Sequence, residues 1–117
     1  MELTVEEALK QGITSHREGK LQDAERLYRA ILQSQSKHPD ANHNLGVLAV
    51  SVNKTDAALP LLKTAVEANP KIDQFWLSYI DALLKAGKLD AVKQVLADAQ
   101  QAGISAAKLQ IFKEQLA

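Results

Sequence analysis

The sequence predicts an all-α protein, a solenoid of three helix–turn–helix repeats closed by a seventh helix. Three observations carry that prediction. The stretch GKLQDA at Gly19 returns as GKLDAV at Gly87, with NKTDAA at Asn53 midway, which sets a period of 34 residues. Apolar and small residues follow a 3.6-residue stripe within each period. Alternating β-branched runs bounded by turn residues, the mark of strands, are absent. One domain over residues 1–117 then divides into repeats at 5–38, 39–72 and 73–106, with a capping helix at 105–116.

The first helix starts at a capping signal, Thr4 with Glu7 three residues on, and continues through Leu9 and Ile13. Gly19, Asn53 and Gly87 mark the turns, because glycine and asparagine tolerate the left-handed backbone such a turn needs. After Gly19, the residues Leu21, Ala24, Leu27, Tyr28, Ile31 and Leu32 form the apolar face of a second helix. In the middle repeat Ala57, Ala58, Leu61, Leu62, Ala65 and Val66 repeat it. Pro60 lies within about the first turn and a half of that helix, so a mild bend is expected rather than a break. Gly46, in HNLGVLA, is the local anomaly, since glycine inside a helix costs roughly 1 kcal/mol relative to alanine. The apolar pattern runs on past it. Close approach of the next helix, with Gly46 facing Ala58 and its small neighbours and Gly12 facing Ala24, is the expected reason. The third repeat puts Ile80 and Val92 at these positions, so its helices should sit wider apart. In the last stretch, Ser105 serves as a cap, and Leu109, Phe112 and Leu116 share the face that shields the third repeat.

Composition removes several functions. Lys and Arg total 14 and so do Asp and Glu, without runs of one sign, which argues against a nucleic-acid or anionic-membrane binder. There is no cysteine, hence no disulfide, thiolate metal site or thiol nucleophile. The acidic start MELTVEEALKQ lacks the form of a signal peptide, and no apolar run approaches the ~18 residues that span a bilayer. A cytoplasmic location is the expectation. Gly19-Lys20 and Gly87-Lys88 lack the preceding glycines of a phosphate loop. His38 and His43 flank Asp40, but a zinc site wants three or four ligands, so no metal is expected. No serine has the strained glycine setting of an esterase nucleophile. Neither catalytic residues nor a cofactor are expected.

The columns Leu45-Gly46, Ala49, Ala58, Leu62, Ala65 and Pro70 resemble those of the tetratricopeptide repeat, most closely over residues 39–72. The first repeat is similar through Gly12, Gly19, Ala24 and Tyr28, although Ser36 stands where a closing proline is usual and Pro39 carries the break. The third is similar through Trp76, Gly87 and Ala99 and departs at Tyr79-Ile80 and Val92. The resemblance implies a right-handed α–α superhelix whose first helices line a concave groove. It implies a non-catalytic module that binds a peptide or helix segment of another protein.

Mapped onto this sequence, the implied groove uses Leu9, Ile13, His16 and Arg17 of the first repeat. It uses Asp40, His43, Asn44, Val47 and Ser51 of the second, and Gln74, Leu77, Ser78, Asp81 and Lys85 of the third. Leu9-Ile13-Arg17, His43-Val47-Ser51 and Leu77-Asp81-Lys85 each run at i, i+4 along one side of a helix. Leu9, Ile13, Val47 and Leu77 would make the apolar floor. Leu9, Ile13, Asn44, Gln74 and Ser78 occupy the places where some members clamp a chaperone's C-terminal carboxylate. With no cation among them, that ligand is not expected. Two alternatives stay open. AERLYRAIL, LGVLA and PLLKTAV are similar to repeats of bacterial glycosyl-, sulfo- and methyltransferases, which would make this a substrate-presenting segment with an apolar patch at Ile111, Phe112 and Leu116. Self-association into a homo-oligomeric scaffold through the exposed ends is the other.

Overall fold

The structure, a computed structural model, describes residues 3–116. Seven helices make up its secondary structure, and the described residues contain no strand: α1 (Val5–Arg17), α2 (Leu21–Ser34), α3 (Pro39–Ser51), α4 (Thr55–Ala68), α5 (Asp73–Lys85), α6 (Leu89–Gln101) and α7 (Ala106–Leu116). The helix starts keep the repeat of the sequence: 5, 39 and 73 for the first helix of each pair, 21, 55 and 89 for the second. The pairs stack into an all-α solenoid 51 Å long and 26 by 20 Å across.

Local chemistry sets the helix ends. At α1 the Glu7 backbone N–H donates to Thr4 Oγ1 (3.1 Å) and the Thr4 N–H donates to Glu7 Oε1 (3.0 Å), a complete capping box. α3 begins at Pro39, whose fixed φ suits the first helical position, behind an N-cap the sequence did not reveal. His38 Nδ1 accepts the Ala41 backbone N–H at 3.1 Å. The buried Asn42 amide donates to the Ser36 and His38 carbonyls (3.1 and 2.9 Å) and so ties the incoming loop to the helix. Helix α4 runs unbroken through Pro60.

Each first helix stops in the same way. Gly19, Asn53 and Gly87 have φ of 81, 64 and 72°. The next residue's N–H returns to the last turn, Lys20 to Ser15 (2.8 Å), Lys54 to Ala49 (2.8 Å) and Lys88 to Leu83 (3.0 Å). This six-to-one bond, with the i−3 bond of the left-handed residue itself, is a Schellman stop. Gly103, at φ 95°, repeats it between α6 and α7, where Ile104 donates to Ala99 at 3.0 Å.

The two buried helix glycines face different partners from those the sequence suggested. A Cβ on Gly46 would meet Leu62 Cδ2 at 2.6 Å, and one on Gly12 would meet the Tyr28 ring at 2.6 Å. Close approach is the reason for both glycines, but each makes room for a large side chain rather than opposing Ala58 or Ala24. Those alanines are fully buried beside them, Ala58 with Ala49, Leu62 and Ala82, and Ala24 with Tyr28, Leu45 and Leu48.

The third pair departs as its bulk requires. Helices α5 and α6 bring far fewer backbone positions together than α1 and α2 or α3 and α4 do. The space is filled by Phe75, Trp76, Ile80, Leu83, Val92, Val95 and Leu96, and Leu109 and Phe112 of α7 close that core. The Trp76 Nε1–H donates to the Pro70 carbonyl at 2.8 Å, and Lys108 of α7 pairs with Asp73 of α5. Phe112 is buried and Leu116 half-buried, so of the three residues named as an apolar patch on α7 only Ile111 is exposed.

Candidate functional site

Helices α1, α3 and α5 lie side by side, and the first-helix residues singled out in the sequence stand along them. A cleft of about 400 Å³ opens between α3 and α5. Val47 and Val50 form its apolar wall, the fully buried Leu62 backs it, and Ser51, Ser78, Asp81 and Lys85 surround its mouth. Five of the singled-out residues thus meet at one place: Val47, Ser51, Ser78, Asp81 and Lys85. Asp81 and Lys85 form an exposed ion pair of 3.1 Å one helical turn apart.

A polar junction adjoins the cleft through Ser78. His43 Nε2 and Ser78 Oγ are 2.8 Å apart, and Gln74 Nε2 donates to the same hydroxyl at 3.1 Å. The His43 ring stacks on Phe75 with centroids 4.8 Å apart. Burial holds the His43 pKa below its ordinary value, outweighing the opposite pull of the Asn44 side chain and the Asp40 carboxylate. His43 is therefore a neutral link between α3 and α5 near neutral pH, not a charged rim residue.

The remaining candidates are distributed elsewhere. Leu9 is half-buried and packs with both N-terminal clusters, against Tyr28 and Leu45 on one side and Ala8 and Ile31 on the other. Leu77 packs on the C-terminal core. Ile13, Arg17 and Asp40 are exposed, while His16 and Asn44 are half-buried. The four-residue apolar floor is therefore not continuous: Val47 faces the cleft, while Leu9 and Leu77 spend much of their surface on packing. Leu62 is the cleft residue that sequence reasoning assigned only to the core. Its signal was present, since a large residue 16 positions after a helix glycine passes over that glycine. Among the described residues no group of three His, Asp or Glu side chains could hold a metal ion, and no helix is long and apolar enough to cross a membrane.

The comparisons with known proteins agree with this architecture. A family model described as tetratricopeptide repeat matches residues 15–71 and 49–103, which together span more than half of the chain. No curated protein matches the sequence. Among solved structures, MamA of MSR-1 is similar at 27% identity and a TM-score of 0.73 over 86% of this chain and 57% of that one. MamA of AMB-1 is similar at 27% identity and 0.75, over 86% and 55%. This chain thus spans little more than half the length of the MamA chains it matches. The type III secretion chaperone SycD of Yersinia enterocolitica, solved with a peptide of the translocator YopD, shares the fold at 17% identity, with a TM-score of 0.78 over 99% of this chain and 88% of that one. With glycine-spaced helix pairs in a 34-residue register and a family model matched twice along it, the chain belongs to the tetratricopeptide repeat family.

Proposed function

We propose that this chain is a non-catalytic interaction module that holds a peptide or helical segment of another protein against the face built by α1, α3 and α5. The observation that carries the reading is the cleft between α3 and α5, with an apolar wall at Val47 and Val50 and a polar mouth. That combination suits an inserted apolar side chain whose backbone stays among polar groups. The SycD structure with its YopD peptide supports the same kind of use for this fold. Four of the five ion pairs among the described residues join charges two to four positions apart, and the fifth joins Lys108 of α7 to Asp73 of α5; cations neutralised in this way suit a protein ligand better than a polyanion.

The test is a pull-down from the source cell's lysate with wild type, Val47→Glu and Ser51→Arg, bound proteins being identified by mass spectrometry. Circular dichroism reports the fold of each variant. The expected result is one partner captured by wild type and lost with both variants while Ser51→Arg, at an exposed position, keeps its helix signal. Capture that is equal in all three moves function off this face. Recovery of the chain's own copies alone supports self-assembly instead.

A further inference from the structure

We propose that the chain has a second interaction surface, a pocket between α4, α5 and α6, and that it takes an arginine side chain of a protein partner. None of its lining residues belongs to the cleft between α3 and α5, so the inference goes beyond the reading of that face and does not depend on it.

The pocket holds about 290 Å³. Trp76 and Tyr79 of α5, with Val66 of α4 and Val95 of α6, give it an apolar interior. Trp76 is held there by its bond to the Pro70 carbonyl, and Tyr79 is half-buried between the middle and C-terminal clusters. Glu67 of α4 and Asp98 of α6 bring a carboxylate from each side. Both act on the Tyr79 hydroxyl, whose pKa stands above its ordinary value, first through burial and then through these two charges. Among the described residues neither carboxylate has a cation within ion-pair distance. Asp98 is half-buried and accepts from the Gln94 side-chain amide at 3.0 Å, a neutral donor. Lys63 also lines the pocket. It precedes Glu67 by one helical turn, the weaker order for such a pair, and the pair does not form. Two carboxylates against one cation leave the pocket short of positive charge.

The 34-residue register supplies a comparison. The groove one period earlier carries Gln33, Asn42, Leu45 and Thr64 at the places of Glu67, Trp76, Tyr79 and Asp98. Arg29, at the place of Lys63, is paired with Glu25. The repeat therefore does not demand the two carboxylates, and their meeting beside two aromatic rings is particular to the later groove.

Arginine fits this set of groups. Its methylene stem suits Val66 and Val95, and its planar cation suits an aromatic neighbour. Its fork of five N–H donors can serve carboxylates on two helices at once, where lysine offers a strongly hydrated point charge.

The test uses Trp76, the single tryptophan of the sequence, as the reporter. An N-acetylated, C-amidated Ser-Gly-Arg-Gly-Ser peptide is titrated into the full chain and followed by tryptophan fluorescence and by the NMR signal of the indole N–H. A saturable response is expected. Citrulline in place of arginine keeps the shape without the charge and is expected to weaken binding about tenfold or more. Glu67→Gln with Asp98→Thr gives the pocket the residue types of the earlier groove at positions that are not fully buried. This variant is expected to keep its circular dichroism and thermal melt and to lose the response. Tyr79→Leu, again the residue of the earlier groove, is expected to weaken it. Propylguanidinium, the side chain without a backbone, is expected to bind more weakly than the peptide. Equal binding of the citrulline peptide, or a response that survives in the folded double variant, overturns the proposal. Propylguanidinium bound as tightly as the peptide makes the occupant a small cation and overturns the assignment to a protein partner. Failure here leaves the cleft between α3 and α5 untouched, since other residues line it.

Discussion

The middle and last helix pairs run on the same 34-residue schedule and fill their interiors differently. Between α3 and α4 the backbones come close, with Gly46 and the small Ala49 and Ala58 around Leu62. Between α5 and α6 they stand apart, and Ile80, Trp76, Leu83, Val92 and Leu96 take up the volume. The glycine is thus one of two solutions to the same packing problem, approach of backbone or mass of side chain. The first pair shares the glycine solution but sets Tyr28 over Gly12 where the middle pair sets Leu62 over Gly46, so the size of the side chain that crosses the glycine differs as well.

The two solutions fail in different ways. Ile80→Ala removes a fully buried side chain from a pair that cannot close up, and is expected to cost about 2–5 kcal/mol. Denaturant unfolding measures it, and a loss under 1 kcal/mol would mean that α5 and α6 move together to refill the space. Gly46→Ala acts by crowding. Overpacking costs about 1–3 kcal/mol, offset by about 1 kcal/mol of helix propensity, for a net loss of up to about 2 kcal/mol. A gain in stability would show that Leu62 swings aside freely, and the contrast between the pairs would weaken.

The smallest effect lies at the seam between the two pairs, at His43. Its folded pKa is lowered by burial, so below about pH 6.5 the unfolded chain takes up the proton first. The sign follows: stability is at its full value above that pH and falls as pH drops toward the folded pKa. Thermal melts at pH 7.5, 6.5 and 5.5 are expected to show a falling Tm, with a shallower slope in His43→Gln. Parallel slopes would mean that the seam does not sense this proton.

Most of the fold was legible because its signals are local. Thr4 with Glu7, the left-handed residues at 19, 53 and 87, and the 3.6-residue stripes each act within a few residues. The partners of Gly46 and Gly12 were not. Ala58 and Leu62 sit four apart on one face of α4, as do Ala24 and Tyr28 on α2, so the sequence supplies the face but not the level at which the helices cross. The groove suffered in the same way. Spacing put Val47 with its i, i+4 neighbours on one side of α3 and Asp81 and Lys85 together on one side of α5, but their meeting in one cleft depends on how far each pair is turned on the last. Asn42 and His38 were missed because their work is done on the carbonyls and N–H groups of a loop, which leave no periodic trace.

The four identical stops at Gly19, Asn53, Gly87 and Gly103 make the chain divisible. Helices α1, α3, α5 and α6 each carry their own termination signal, so the length of these segments does not depend on the identity of the next. A cut from Asn53 through Ala86 therefore lifts out one full period with both boundaries intact, and duplicating it would lengthen the array by one step without disturbing the joints on either side. In this molecule the turns serve as splice points, and the groove they space out can be extended or shortened only in whole units.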